Sequence, residues 1–295
     1  MENNVLHQPV MLREVLTAFS PKPGGSYIDA TVGDGGHAQA ILERTAPDGK
    51  LLGLDRDAAM AERARKRLAQ YGERCIVVAD SYVRLAEHAA RSGFTACDGI
   101  LFDLGVASFH FSGESGRGFS FRTDEALDMR FSPEEGRTTA ARILERSSQD
   151  ELERIFTEYG EEREARRIAN AIVRNRPIRT TRELSELVTR VKRQRYGSMH
   201  PATKVFQALR IVVNEELRAF ELILPQTIGF LRAGGVLGIL AYHSLEDRIA
   251  KHFMKAQVAS GTFELLTVKP IRPTADEVFE NPRARSVRFR AAQRL

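Results

Sequence analysis

The stretch YIDATVGDGGHAQAIL, Tyr27 to Leu42, together with LLGLDRD, Leu51 to Asp57, decides how this chain is read. An apolar strand runs into a glycine-rich turn, a helix follows, and a second apolar strand ends on Asp55, about twenty residues beyond the glycines. Gly33, Gly35 and Gly36 let the backbone turn tightly and approach a ligand, and the free amides at the start of the next helix point into the same space. Asp55 is then placed to accept hydrogen bonds from ribose hydroxyls. The spacing departs from the dinucleotide fingerprint, because G-D-G-G-H puts Gly36 and His37 where a second tight turn and a phosphate contact are expected. The glycines alone leave three readings open: a site for S-adenosylmethionine, which carries ribose and adenine but no phosphate, a dinucleotide site, and a purely structural strand-to-helix turn.

At 295 residues and 42% hydrophobic content, the chain is long enough for a large core and a second, smaller domain. Cys75 and Cys97 both lie inside apolar runs and read as buried, reduced thiols, which fits a reducing cytoplasm. No bound metal is expected, because His7, His37, His200 and His243 show no paired ligand spacing. The first residues, MENNVLHQPVML, lack a basic region followed by an apolar stretch, and no apolar run approaches about eighteen residues. The expectation is a cytoplasmic protein with no membrane segment. The net charge of +5 is unevenly placed. From Arg163 to Arg210 there are thirteen basic residues, Arg174, Arg176 and Arg193 among them, against Glu164, Glu183 and Glu186. Arginine predominates, which suits phosphates and bases, although solvated helix faces look the same by charge alone.

Periodicity predicts strands at Ser26 to Ala30, Lys50 to Asp55, Cys75 to Ala79 and Asp98 to Leu104, with helices between them, the first half of a parallel sheet. A long loop rich in Gly, Ser and Phe follows, GVASFHFSGESGRGFSF. From about Ser132 the signals are helical, with capping boxes expected at Ser132 with Glu135, Ser148 with Glu151 and Thr180 with Glu183. The sheet is expected to resume with Val236 to Tyr242, a helix from about Leu245 to Gln257, and strands at Phe263 to Val268 and Ser286 to Arg290. Residues 1–108 and 206–295 then form one α/β domain, a mostly parallel doubly wound sheet, interrupted by a loop and all-helical insertion over 109–205. Asp103 ends the fourth strand beside the glycine turn, on the edge where such sheets bind ligands. His243 ends the fifth strand on the same edge, while Ser244 with Asp247, and His200 before Pro201, also read as helix starts.

The segments HQPVML, YIDATVGDGGHAQAIL, LLGLDRD, DGILFDLGVAS, RGFSFRTDEALDMRF, HPATKVFQALRIVVNEEL, YHSLEDRIAK and RARSVRF span almost the whole chain. In these residues and in their order the chain resembles the RsmH family, also called MraW, of bacterial methyltransferases that modify N4 of a cytidine in the decoding region of 16S ribosomal RNA. The resemblance implies a class I S-adenosylmethionine-dependent, Rossmann-like fold with a helical, RNA-binding insertion. It implies S-adenosylmethionine as the methyl donor, and as partner 16S rRNA within the small ribosomal subunit or a late precursor; a homodimer is compatible with it. Carried over by position, Gly33, Gly35, Gly36 and His37 face the donor in the glycine turn, Asp55 holds the ribose, Tyr82 stands beside the adenine, and Asp103 lies by the methyl group. His110 occupies a position where the family often has glutamine, a departure that leaves a side-chain donor contact open.

In-line methyl transfer asks mainly for placement of acceptor and donor. The cytosine amino group is a poor nucleophile, so an acceptor that pulls on its hydrogens helps, and Asp103 is the candidate catalytic residue. DNA amino-methylases commonly carry two prolines and an aromatic after this acid, where this chain reads DLGV, so the acceptor carbonyls are not assigned by analogy. Phe109 and Phe119 are candidates to stack on the target base, and Arg174, Arg176, Arg193 and His243 to contact RNA. Three other readings remain: another class I RNA methyltransferase, a nicotinamide-dependent oxidoreductase and a non-catalytic rRNA-binding assembly factor.

Overall fold

The computed structural model describes residues 9–192 and 200–295. Two compact units are present: one runs to Gly105 and resumes at Leu217, and the other spans Val106–Glu216. The first opens with α1 (Leu12–Phe19), β1 (Ser26–Asp29), α2 (Gly36–Arg44), β2 (Lys50–Asp55), α3 (Ala58–Leu68), β3 (Cys75–Ala79), α4 (Leu85–Arg91) and β4 (Cys97–Asp103). The second holds α5 (Ser108–Phe111), α6 (Ala140–Arg146), α7 (Gln149–Gly160), α8 (Ala165–Arg174), α9 (Thr181–Val191) and α10 (Thr203–Asn214). The chain then continues as α11 (Glu216–Phe230), β5 (Leu231–Ala241), α12 (Ser244–Ala259), β6 (Phe263–Leu265), α13 (Ala275–Glu280) and β7 (Arg288–Arg294).

The seven strands lie in the order β3-β2-β1-β4-β5-β7-β6. The pairs among β1 to β5 are parallel, and β7 is antiparallel to both β5 and β6. This is the class I methyltransferase sheet, with its order reversing between β1 and β4, as the sequence implies. Interior strands are apolar on both faces, since helices cover both sides: Ile28, Leu52, Leu54, Ile100, Leu101 and Phe102 are fully buried. No helix among the described residues is long and apolar enough to cross a membrane.

Several boundaries differ from the sequence expectation. β5 begins at Leu231, because Arg232-Ala-Gly-Gly hides its start: Leu231 pairs with Cys97 and the register shifts before Val236 pairs with Gly99. β7 lies at Arg288–Arg294, further along than Ser286 to Arg290, with the small residues Ala291 and Ala292 buried inside the sheet. β6 stops at Leu265, and Val268 is 81% exposed. The boxes at Ser148 and Thr180 are formed reciprocally with Glu151 and Glu183, whereas Ser132 precedes only a short 3₁₀ turn and caps nothing with its side chain. At α12 the cap falls one residue earlier than Ser244. His243 Nδ1 accepts from the Glu246 amide at 3.4 Å, and the Glu246 carboxylate accepts from the Tyr242 amide at 2.7 Å.

The inserted unit is built around Leu144, Phe156, Ile168, Leu184 and Leu209, all shielded from solvent. α10 packs against α7 in this unit, so the expected return at residue 206 moves to Leu217. The apolar period of α10, Phe206, Leu209 and Val213, is the same whichever core receives it, so the boundary leaves no mark in the pattern.

α1 docks on the sheet through Val15, Leu16 and the ring of Phe19. A Cβ on Gly99 of β4 would lie 2.9 Å from the Phe19 ring, and one on Gly238 of β5 would lie 2.7 Å from it. Two glycines on neighbouring strands thus make a slot for Phe19, which also stacks on Tyr27 at 6.1 Å between centroids. Filling the slot by Gly238→Ala is expected to cost about 1–3 kcal/mol and emptying it by Phe19→Ala about 3–5 kcal/mol, read as shifts in urea midpoint at constant slope.

Candidate active site

The turn after β1 is fastened on both sides. Ala30 donates its amide to the Leu101 carbonyl of β4 at 2.9 Å, and Val32 to the Leu54 carbonyl of β2 at 2.7 Å. Asp55, at the end of β2, accepts from the Gly33 amide at 3.0 Å through one carboxylate oxygen and from the Asp57 amide at 2.8 Å through the other. Gly35 has φ +88, a left-handed conformation that glycine tolerates, and it opens α2. The N-cap residue of α2 is Gly35, which has no side chain with which to cap the helix, and a helix start of this kind suits a polar or anionic ligand group. A Cβ on Gly35 would come within 3.2 Å of Leu68, and one on Gly36 within 3.2 Å of Pro9, so both glycines are also packing contacts.

Asp103 ends β4 in the same place. Its amide donates to Thr31 Oγ1 at 2.6 Å, its Oδ1 accepts from the Gly105 amide at 3.3 Å, and its Oδ2 lies 3.7 Å from His37 Nδ1. The other ring nitrogen of His37 is 2.9 Å from the Val10 carbonyl. Tyr242 is partly buried with its hydroxyl beside Asp103, and burial first and then that carboxylate raise the phenol well above its usual pKa. Gly105 gives Tyr242 its space, since a Cβ there would fall 2.5 Å from the ring. Tyr82 follows β3, half-buried, with its ring edge-on to Phe102 at 5.7 Å. The structure therefore brings Gly33, Gly35, Gly36, His37, Asp55 and Asp103 to one edge of the sheet unit and places Tyr82 beyond β3 on that edge.

Thr31 and Tyr242 are neighbours of the site that the sequence does not single out, whereas Asp29 is visible in it as the acid that begins the glycine turn. Asp29 is fully buried, and its carboxyl is pushed up to about 8 by burial first and then by Asp103 and Asp55, against one hydrogen bond from the Thr31 amide. Tyr242 carries no motif of its own. The pairing of Asp103 with Leu240 is the signal that puts it beside Asp103, and strand register is not readable before the sheet order is known.

The remaining candidates lie in the inserted unit or outside the described residues. His110 is buried among rings, 4.9 Å from Phe119, 5.3 Å from Phe131 and 5.6 Å from Phe109. Phe119 stacks on Phe131 at 5.3 Å and belongs to the core, so it pins the loop instead of offering a face to a base. Phe109 is half-buried, with the Arg117 guanidinium 5.9 Å from its ring. Arg174 is exposed, but Arg176 donates to the Ser147 carbonyl and thereby ties α8 to the turn after α6. Arg193 lies outside the described residues. His243 caps α12, and its Nε2 lies 3.1 Å from a Glu246 carboxylate oxygen.

Asp55 and Asp103, on either side of the protonated Asp29, favour a cationic ligand over a pyrophosphate, which they would repel. The mutual effect of the three is measurable without any ligand. Between its ordinary 3.8 and about 8, Asp29 keeps a proton in the folded state that it loses in the unfolded chain, so it contributes stability below 3.8 that is lost as pH rises to about 8. Asp29→Asn is expected to remove a slope of up to about 1.4 kcal/mol per pH unit from that window, measured by chemical denaturation of both proteins from pH 5 to 9.

The pattern of the MraW methylase family matches residues 4–295. Over 307 aligned residues the chain is 46% identical to a ribosomal RNA small subunit methyltransferase H of Thermomicrobium roseum, covering 98% of this chain and 94% of that protein. A protein of the same name from Cyanothece sp. is 45% identical over 295 residues, covering 100% and 97%. A third, from Geobacter sulfurreducens, is 44% identical over 309 residues, covering 98% and 99%. Matched by that family's pattern over residues 4–295 and 44–46% identical to these relatives over nearly its whole length, the chain belongs to the MraW methylase family.

Proposed function

We propose that the protein transfers a methyl group from S-adenosylmethionine to the N4 amino group of a cytidine in the decoding region of 16S ribosomal RNA. The observation that carries the reading is Asp103, whose amide donates to Thr31 and whose carboxylate accepts from the Gly105 amide, set beside Tyr242 and the glycine turn. When bound, the donor supplies a methyl group on a positively charged sulfur. The chain's own groups suit that ligand. Asp55 is an acceptor for ribose hydroxyls, the α2 amides meet uncharged polar groups, and the carboxylates stabilise positive charge. The names of the curated relatives support ribosomal RNA as the substrate.

Asp103 accepts a hydrogen bond from the cytosine amino group, which keeps the nitrogen lone pair aimed along the line of transfer, and it takes up the proton released after transfer. The Tyr242 hydroxyl remains protonated beside that carboxylate and stabilises its charge. His37 sits behind the same carboxylate, anchored to the Val10 carbonyl, and limits its rotation. The exposed arginines of the inserted unit, Arg174 among them, contact RNA phosphates.

Incubation with labelled S-adenosylmethionine and either naked 16S rRNA or small subunits, followed by nucleoside mass spectrometry, is expected to yield N4-methylcytidine at one position. A different methylated base, or no transfer to either RNA, overturns the reading. Asp103→Ala is expected to lower single-turnover transfer at saturating donor about 10²–10⁴-fold, with donor affinity weakened as well. Tyr242→Phe, which removes the hydroxyl beside that carboxylate, is expected to cost roughly 10–100-fold by the same assay.

A further inference from the structure

The outer end of the sheet unit carries a groove of about 250 Å³ that the reaction above does not use. Lys251 and Lys255 line it from α12, with Lys269 and Val268 from the segment after β6, over Met254 and Leu265. Every charged side chain in the lining is basic. The fourth cation, Arg290, is buried and bound by Asp247 at 2.7 Å, so the outward charge comes from the three lysines. All three are exposed, and among the described residues none of their amines makes an ion pair. Lys251 and Lys255 are one turn apart and therefore share a helix face.

We propose that this groove binds the backbone of the RNA substrate as an accessory site on the sheet unit. The inference rests on the RNA reading of the function. α12 begins at Ser244, three residues after β5 ends on the ligand edge, so Lys251 and Lys255 lie about 10 and 17 Å along the helix axis from that edge. Nucleotides flanking a target base beside Asp103 reach that far. Met254 is buried and Val268 is the one largely exposed apolar side chain of the lining, so charge holds the occupant more than apolar burial does. That balance is the one found in backbone grooves for single-stranded nucleic acid, and it differs from the apolar centre of a protein interface.

The test is fluorescence anisotropy of a labelled RNA containing the target cytidine and its flanks, titrated between about 50 and 200 mM salt with the full chain. The variant carrying Lys251→Glu, Lys255→Glu and Lys269→Glu is expected to bind about tenfold or more weakly, with the slope of log affinity against log salt flattened by about two units for three lost phosphate contacts. The triple Lys→Arg variant is expected to keep the slope. Should charge reversal unfold the protein, Lys251→Gln/Lys255→Gln/Lys269→Gln gives the same comparison. Unchanged affinity and slope overturn the groove. So does a defect confined to assembled subunits with naked RNA unaffected, which would make the occupant a ribosomal protein. A wild-type protein that transfers no methyl group to RNA instead overturns the function on which the groove rests.

Discussion

Three carboxylates at the carboxyl ends of three adjacent strands, Asp55 of β2, Asp29 of β1 and Asp103 of β4, would repel one another if all were ionised and alike. The site is organised by how each is kept from doing so. Asp29 is buried and holds its proton, Asp55 is occupied by two backbone amides, and Asp103 accepts from the Gly105 amide with the Tyr242 phenol beside it. The same bonds shape the glycine turn, because Asp55 grips Gly33 and Thr31 links Asp103 back to the exit of β1. Electrostatics and backbone geometry are therefore set by one group of interactions, and a cation placed among them relieves what the fold leaves unbalanced.

The first four strands were legible because buried parallel strands read as short apolar runs bounded by turn signals, and LLGLD and ILFD are of that kind. β5 and β7 were placed less well. The start of β5 is masked by Arg232-Ala-Gly-Gly, and the end of β7, Ala-Ala-Gln-Arg, has the small and polar residues of a loop although Ala291 and Ala292 are in the sheet interior. Their placement is decided by partners: β5 follows β4 and β7 inserts next to β5, information that no local window contains. The glycine turn and Asp103 announce themselves at the ends of recognisable strands. Tyr242 does not, since it acts only through its neighbour across the sheet.

Charge was a poorer guide than pattern in the inserted unit. Arg176 supports the turn after α6, Arg130 holds Asp128 at 2.6 Å, Arg210 pairs with Glu216 at 2.9 Å, and Lys192 is 2.6 Å from the buried Glu162. A cluster of arginines in the sequence thus divides into groups that tie helices together and groups such as Arg174 that remain at the surface. Counting basic residues cannot separate them, because the same side chain serves both purposes with the same chemistry. Aromatic residues divide similarly: Phe119 and Phe109 lie close in sequence, yet one is core and the other half-exposed.

The position of β7 bears on the order in which the chain can fold. In space it lies between β5 and β6, so β6 has no strand to pair with until β7, made later, is in place, and β5 keeps an open edge for the same interval. The N-terminal helix waits too, since half of the slot for Phe19 belongs to Gly238 on β5. A chain emerging from the ribosome therefore carries an unpaired apolar strand edge and an undocked helix through much of its synthesis. Completion of the sheet is a late event, and the interval before it is when the nascent protein is most exposed to aggregation and most in need of chaperones.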